Sequence, residues 1–94
     1  MATDRKAILV LARRDHGEAM RVAAGLTIFG HAVNLVFMTA PVAQTEANAE
    51  LAELLALSEI TPETTVREMA GELTLLDARA LGAAIAASDR VINL

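Results

Sequence analysis

The chain has 94 residues, 54% of them hydrophobic and 20 of them alanine, with a net charge of −4 and no cysteine. That length accommodates one domain, 1–94, and the composition excludes disulfides, cysteine-ligated zinc and a thiol nucleophile. A net negative chain whose only aromatic residues are Phe29 and Phe37 also lacks the basic face and the stacking surface that nucleic-acid binding requires.

Ala7-Ile8-Leu9-Val10-Leu11-Ala12, set between Lys6 and Arg13, is apolar without alternation. Such a run predicts a strand covered on both faces, as in the centre of a parallel sheet. Asp15 follows as an N-cap, with Glu18 three residues on in capping-box position. Ala19, Val22, Ala23, Leu26 and Phe29 then recur at helical spacing, and Gly30 closes that helix as a left-handed C′ residue. Ala32 to Met38 predicts a second strand, and Pro41 ends the segment. About eighteen residues separate the two strands, which suits a right-handed βαβ crossover and is too long for a hairpin.

A second helix is predicted from Thr45 to Ser58, capped by Thr45. Ala47, Leu51, Leu54, Leu55 and Ser58 form its inward stripe, and Glu46, Glu50 and Glu53 its outer face. Thr61-Pro62-Glu63 reads as a helix start, so a short helix to Ala70, stopped by Gly71, is expected. The β-branched Thr64, Thr65 and Val66 support the alternative of a strand over Thr64 to Met69. Leu73 to Leu76 is a short strand. Asp77 then caps a helix to about Ser88, with Leu81, Ala84, Ile85 and Ser88 inward, and Arg90 to Leu94 is a last strand. The order β-α-β-α-(α)-β-α-β implies an α/β protein: a three-layer α/β/α arrangement with a parallel or mostly parallel sheet of four to five strands.

Val22 to Thr45 carries no Asp, Glu, Lys or Arg, long enough to suggest a membrane span. Gly30-His31 in its middle, Asn34 beyond, and the change from helical to strand-like patterning at Gly30 argue against one. Ala2 to Lys6 runs into the first strand without a small-residue cleavage site, so no leader peptide and a cytoplasmic setting are expected. A domain of this size hides only about 65% of its unfolded surface. An apolar share of 54% exceeds what one such core conceals, and a homo-oligomer is expected. Residues 1–45 hold five basic and three acidic groups, for +2, and residues 46–94 three basic and nine acidic, for −6. The acidic half reads as a solvated helix face or as a surface for a basic partner.

Ligands of open α/β sheets collect beyond the carboxyl ends of the strands. Here that edge carries Arg13, Arg14, Asp15, His16 and Gly17 after the first strand and Thr39, Ala40 and Pro41 after the second, with Asp77 joining if the strand at Leu73 forms. Arg13 and Arg14 beside a helix N-terminus could hold an anion. The alternative is two solvated arginines and a helix cap, since Asp15 already occupies the cap. Neither GxGxxG nor GxxxxGK[ST] follows the first strand, so no nucleotide cofactor is assigned. His16 could act as a general base, with Asp15 or Glu18 to orient it. His31 lies at the far end of the same helix, roughly 20 Å away, so the two histidines cannot share a metal and no metal site is expected. Ser58 and Ser88 fall near helix C-termini at the opposite edge of the sheet, which disfavours a Ser-His pair. Met20, Met38 and Met69 read as core filler. No catalytic residue is assigned.

Two blocks of the chain carry a resemblance. The first is Ala7-Ile8-Leu9-Val10-Leu11, Asp15-His16-Gly17-Glu18 opening an alanine-rich helix, then Phe29-Gly30-His31-Ala32-Val33 leading to Val36-Phe37-Met38. The second is Leu81 to Leu94, with Ala87-Ser88-Asp89-Arg90-Val91-Ile92-Asn93-Leu94 at its end. Together they span about half the chain and resemble the DsrE/DsrF/DsrH-like family, which includes sulfur-relay subunits of the TusBCD type. Catalytic members of that family bear a persulfide-forming cysteine in a loop after a central strand. The corresponding stretch here, roughly Leu57 to Gly71, is short and has no cysteine. A persulfide carrier needs a thiolate, so the family's activity does not carry over. The resemblance implies the fold, a cytoplasmic setting, and association as a homo-oligomer or with other DsrE-like subunits in an accessory role. A small-ligand or anion-binding role at the carboxyl edge is the alternative.

Overall fold

The apolar run at Ala7–Ala12 forms β1, the strand on which the structure is built. The computed structural model describes residues 5–94. The leader-peptide expectation rests largely on residues 1–4, which lie outside the described residues. After β1 the chain forms α1 (His16–Ile28), β2 (Ala32–Phe37), α2 (Glu46–Leu57), β3 (Glu63–Thr64), a 3₁₀ turn at Arg67–Met69, β4 (Thr74–Leu75), α3 (Ala78–Ala87) and β5 (Arg90–Asn93). The five strands make one sheet in the order β4-β3-β2-β1-β5, and every pairing is parallel.

This order dictates the layers. The connections from β1 through β4 step outward in one direction, whereas α3 returns across the sheet to the far side of β1. Crossovers of one hand running in opposite directions lie on opposite faces. Accordingly, α1 and α2 pack on one face over Ile8, Val10, Ala12, Leu35 and Phe37. On the other face α3 lies over Leu9, Leu11 and Val36, with Leu81 and Ala84 against them. The result is a three-layer α/β/α fold with β1 buried on both faces, which explains its unbroken apolar sequence, while β2 is buried at Leu35, Val36 and Phe37 and exposes Asn34 nearer its start.

Local signals set the helix ends. The side chains of Asp15, Thr45 and Asp77 accept from the amides of Glu18, Asn48 and Ala80, so each expected N-cap is in place. α1 ends in a Schellman motif: Gly30 N–H donates to the Thr27 oxygen and His31 N–H to the Leu26 oxygen, with Gly30 at φ +90°. α2 ends the same way through Glu59 and Ile60, with buried Ile60 meeting Leu55. Here the left-handed position is held by Glu59 at φ +60°. The uncharged stretch from Val22 to Thr45 is the second half of α1, β2 and a loop. Among the described residues, no helix is long and apolar enough to cross a membrane.

Four expectations need correction. The short helix at Pro62–Ala70 does not form, and neither does a strand over its whole length. Pairing to β2 draws Glu63–Thr64 into the sheet, and Thr64 is fixed by donating its hydroxyl to the Phe37 oxygen. Only one 3₁₀ turn is left for Arg67–Met69. In α1 the buried face is Ala19, Met20, Ala23 and Ala24, and Phe29, one residue past the last turn, is 78% exposed. In α2, Ala47 is exposed while Asn48 turns partly inward. In α3, Ile85 is 41% exposed, because the helix sits over β1 on its Leu81–Ala84 side.

Candidate functional site

The carboxyl edge is organised around a turn. At the end of β2 the Ala40 N–H donates to the Met38 oxygen at 2.9 Å, closing a three-residue γ-turn with Thr39 at its centre. Thr39 has φ +80°, a conformation that a β-branched residue adopts only under constraint. His16, the first residue of α1, reaches across to the same oxygen, with Nε2 at 3.1 Å. A carbonyl oxygen only accepts, so Nε2 carries the proton. The imidazole meets the ring of Phe37 edge-on, with centroids 5.5 Å apart. His16 therefore ties the start of α1 to the strained end of β2. Asp15 and Glu18, the expected orienting carboxylates, are engaged elsewhere: Asp15 caps Glu18 N–H, and Glu18 pairs with Arg21.

The remaining expected residues divide into two groups. The amides of Arg14 and Asp15 both donate to the Leu94 oxygen, at 3.1 and 2.9 Å. This removes two N–H groups that an anion would use. The Arg13 and Arg14 side chains are exposed, and among the described residues the ion pair is Arg21–Glu18. Gly17 faces α2: a Cβ there would stand 3.4 Å from Asn48 Oδ1 and 3.6 Å from Leu51 Cδ1. Asp77 follows β4 at the carboxyl edge of the sheet. It borders a hollow of about 400 Å³ with Met38, Thr65, Arg67, Leu76 and Leu81, at the ends of β2, β3 and β4. Thus the structure ties His16 to the turn that carries Thr39, bonds the Arg14 and Asp15 amides to Leu94, and sets Asp77 on a hollow that Met38 also lines.

Other polar residues serve the sheet. His31 Nδ1 accepts from Lys6 N–H at 3.1 Å, and Asp89 Oδ2 accepts from Ala7 N–H at 2.8 Å, satisfying the free start of β1. Ser58 and Ser88 donate to the Leu54 and Ala84 oxygens one turn back. Among the described residues, no group of three or more His, Cys, Asp or Glu side chains could hold a metal ion.

A larger hollow was missed by the sequence reading. A cleft of about 890 Å³ opens on the α1–α2 face, between α2 and the segment that carries the 3₁₀ turn. Met20, Phe37, Leu55, Ile60, Met69 and Leu73 contribute to its apolar lining. Ala49, Ala52 and Ala56 of α2 border it, and their small side chains leave it open. Glu46, expected on an outer face, stands on the rim with Glu59 and Glu72. The signal available in the sequence was the alanine series at 49, 52 and 56, beside the leucine stripe of the same helix.

Compared with models of protein families, with characterised proteins and with solved structures, the chain matches none.

Proposed function

We propose that the protein is a non-catalytic, DsrE-like subunit that works by association, first of all with a second copy of itself, in an accessory role linked to sulfur relay. One observation carries the reading. α3 has no charged residue from Ala80 to Ser88, yet none of its residues is buried. A helix apolar all round belongs inside a core or an interface. On the same layer Ile85 is exposed, and so is Val91, which the register with Leu9 places on the α3 side of the sheet. Gly82, Ala83, Ala86 and Ala87 are small enough for another helix to approach closely. Ile28, Phe29 and Leu57, all more than 75% exposed, end α1 and α2 at the amino edge and add a second apolar surface.

The resemblance supports the setting: the parallel α/β/α fold it implies is the fold of this chain, and the 94 residues contain no thiol to carry sulfur. Light scattering on a gel-filtration column tests the reading. The expected result is a dimer or larger, reduced to a monomer of unchanged circular dichroism by Ile85→Asp with Ala83→Arg. A strict monomer at all concentrations refutes self-association. A stable complex formed only with another DsrE-like chain replaces the second copy as the partner.

A second reading, small-ligand or anion binding at the carboxyl edge through Arg13, Arg14, His16 and Thr39, is favoured by the strained Thr39, since strain of this kind collects at binding sites. Titration with inorganic phosphate tests it, and an affinity unaltered by His16→Ala counts against it.

A further inference from the structure

The cleft under α2 lies on the sheet face opposite α3, apart from the surface proposed for self-association, and it shares Phe37 with the His16 site. We propose that it binds a small amphiphilic cation, an alkylammonium-type ligand whose chain lies along the apolar floor and whose headgroup meets the glutamate rim. Three features support this. The volume of about 890 Å³ falls within the range of small-molecule pockets. The floor is built of Met20, Phe37, Leu55 and Met69, and methionine adapts its shape to alkyl chains. The rim carries Glu46, Glu59 and Glu72, and no Lys, Arg or His lines the cleft. The field at its mouth is therefore of one sign, which attracts cations and repels anions. Glu59 reaches this rim from a left-handed backbone position that glycine fills without strain.

The methionines give a site-resolved assay. Met20 and Met69 line the cleft, while Met38 borders the other hollow and serves as the internal reference. Protein labelled at the methionine methyl carbons is titrated with octyltrimethylammonium and, separately, with octyl sulfate. The expected result is saturable shifts of Met20 and Met69 with Met38 unmoved. The cation should bind about tenfold more tightly than the sulfate, the order expected of three exposed charge attractions. Raising the salt narrows that preference. The variant E46Q/E59Q/E72Q should bring the ratio close to one, and Ala52→Phe, at an exposed position of α2, should abolish binding of both by filling the cleft. Equal affinity of the two amphiphiles for the unaltered protein overturns the proposal, as does an absence of shifts at Met20 and Met69. Occupancy by a basic amphipathic peptide but not by octyltrimethylammonium also overturns it.

Discussion

Replacing Thr39 with glycine should make the protein more stable, although it removes a side chain and adds freedom to the unfolded chain. Thr39 is held at φ +80° by two hydrogen bonds to the oxygen of its neighbour Met38, one from Ala40 N–H and one from His16 Nε2. For an L-residue that region costs about 1–2 kcal/mol, and β-branching keeps the cost toward the upper end. Glycine removes the strain but loses about 0.5–1 kcal/mol through its more flexible unfolded state. The Thr39 side chain is exposed, so little packing is lost. The net expectation is a gain of about 1 kcal/mol, or roughly 4–8 °C in melting temperature for a domain of this size. Urea denaturation should show the midpoint rising with an unchanged slope. Thr39→Val, which keeps the β-branch, should be neutral. A glycine variant less stable than the parent protein, with valine unchanged, would refute the strain argument.

Thr64→Val should cost about 1–3 kcal/mol, read by thermal denaturation, because Thr64 is fully buried and its hydroxyl accepts from Val66 N–H at 2.9 Å, an amide left unpaired by the isostere. Thr64→Ser should retain most of the stability. Gly25→Ala should stabilise α1 by about 0.8–1 kcal/mol in the same assay, since an added Cβ meets nothing within 4 Å. Glu59→Gly should raise stability by about 0.5–1 kcal/mol by relieving the left-handed residue in the α2 Schellman motif. In the methionine titration it should also weaken the alkylammonium preference.

Features that depend on near neighbours in sequence were legible. Asp15, Thr45 and Asp77 cap their helices because capping needs only an oxygen at one end of a helix and an amide three residues on. β1 was legible because a strand buried on both faces leaves no place for polar residues, and β2 because its β-branched and aromatic residues outweigh the single exposed Asn34. The segment 61–71 was not, because its form is set by partners far away in the chain. Thr65 N–H donates to the Phe37 oxygen and Leu76 N–H to the Thr64 oxygen, and these contacts override any local preference for helix. The candidate site divides in the same manner. His16 and Thr39 were singled out from strand-end position alone, but the γ-turn that joins them was invisible, since a β-branched residue argues locally against positive φ. The cleft left only the alanine series at 49, 52 and 56 as a sequence signal, being a space between residues as far apart as Met20, Leu55 and Met69.

The two faces of the sheet carry unequal cores, and this asymmetry underlies the proposed self-association. Under α1 and α2, eleven buried residues form one cluster, including Met20, Ala23, Leu35, Phe37 and Leu55. Under α3 only Leu9, Leu11 and Val36 are buried, and no residue of the helix above them is. A helix of ten residues has little stability of its own in water and depends on packing. Leu81 and Ala84 supply what packing there is, while Ile85, Val91 and the surrounding alanines remain in solvent. Each apolar 100 Å² covered on that layer would contribute about 2.5 kcal/mol before the costs of association. Under the proposed self-association, covering α3 with a second copy would complete the thinner core and couple folding of this layer to assembly. The stability of a self-associating chain must then rise with its concentration, whereas a domain with two self-sufficient faces would show none of that dependence.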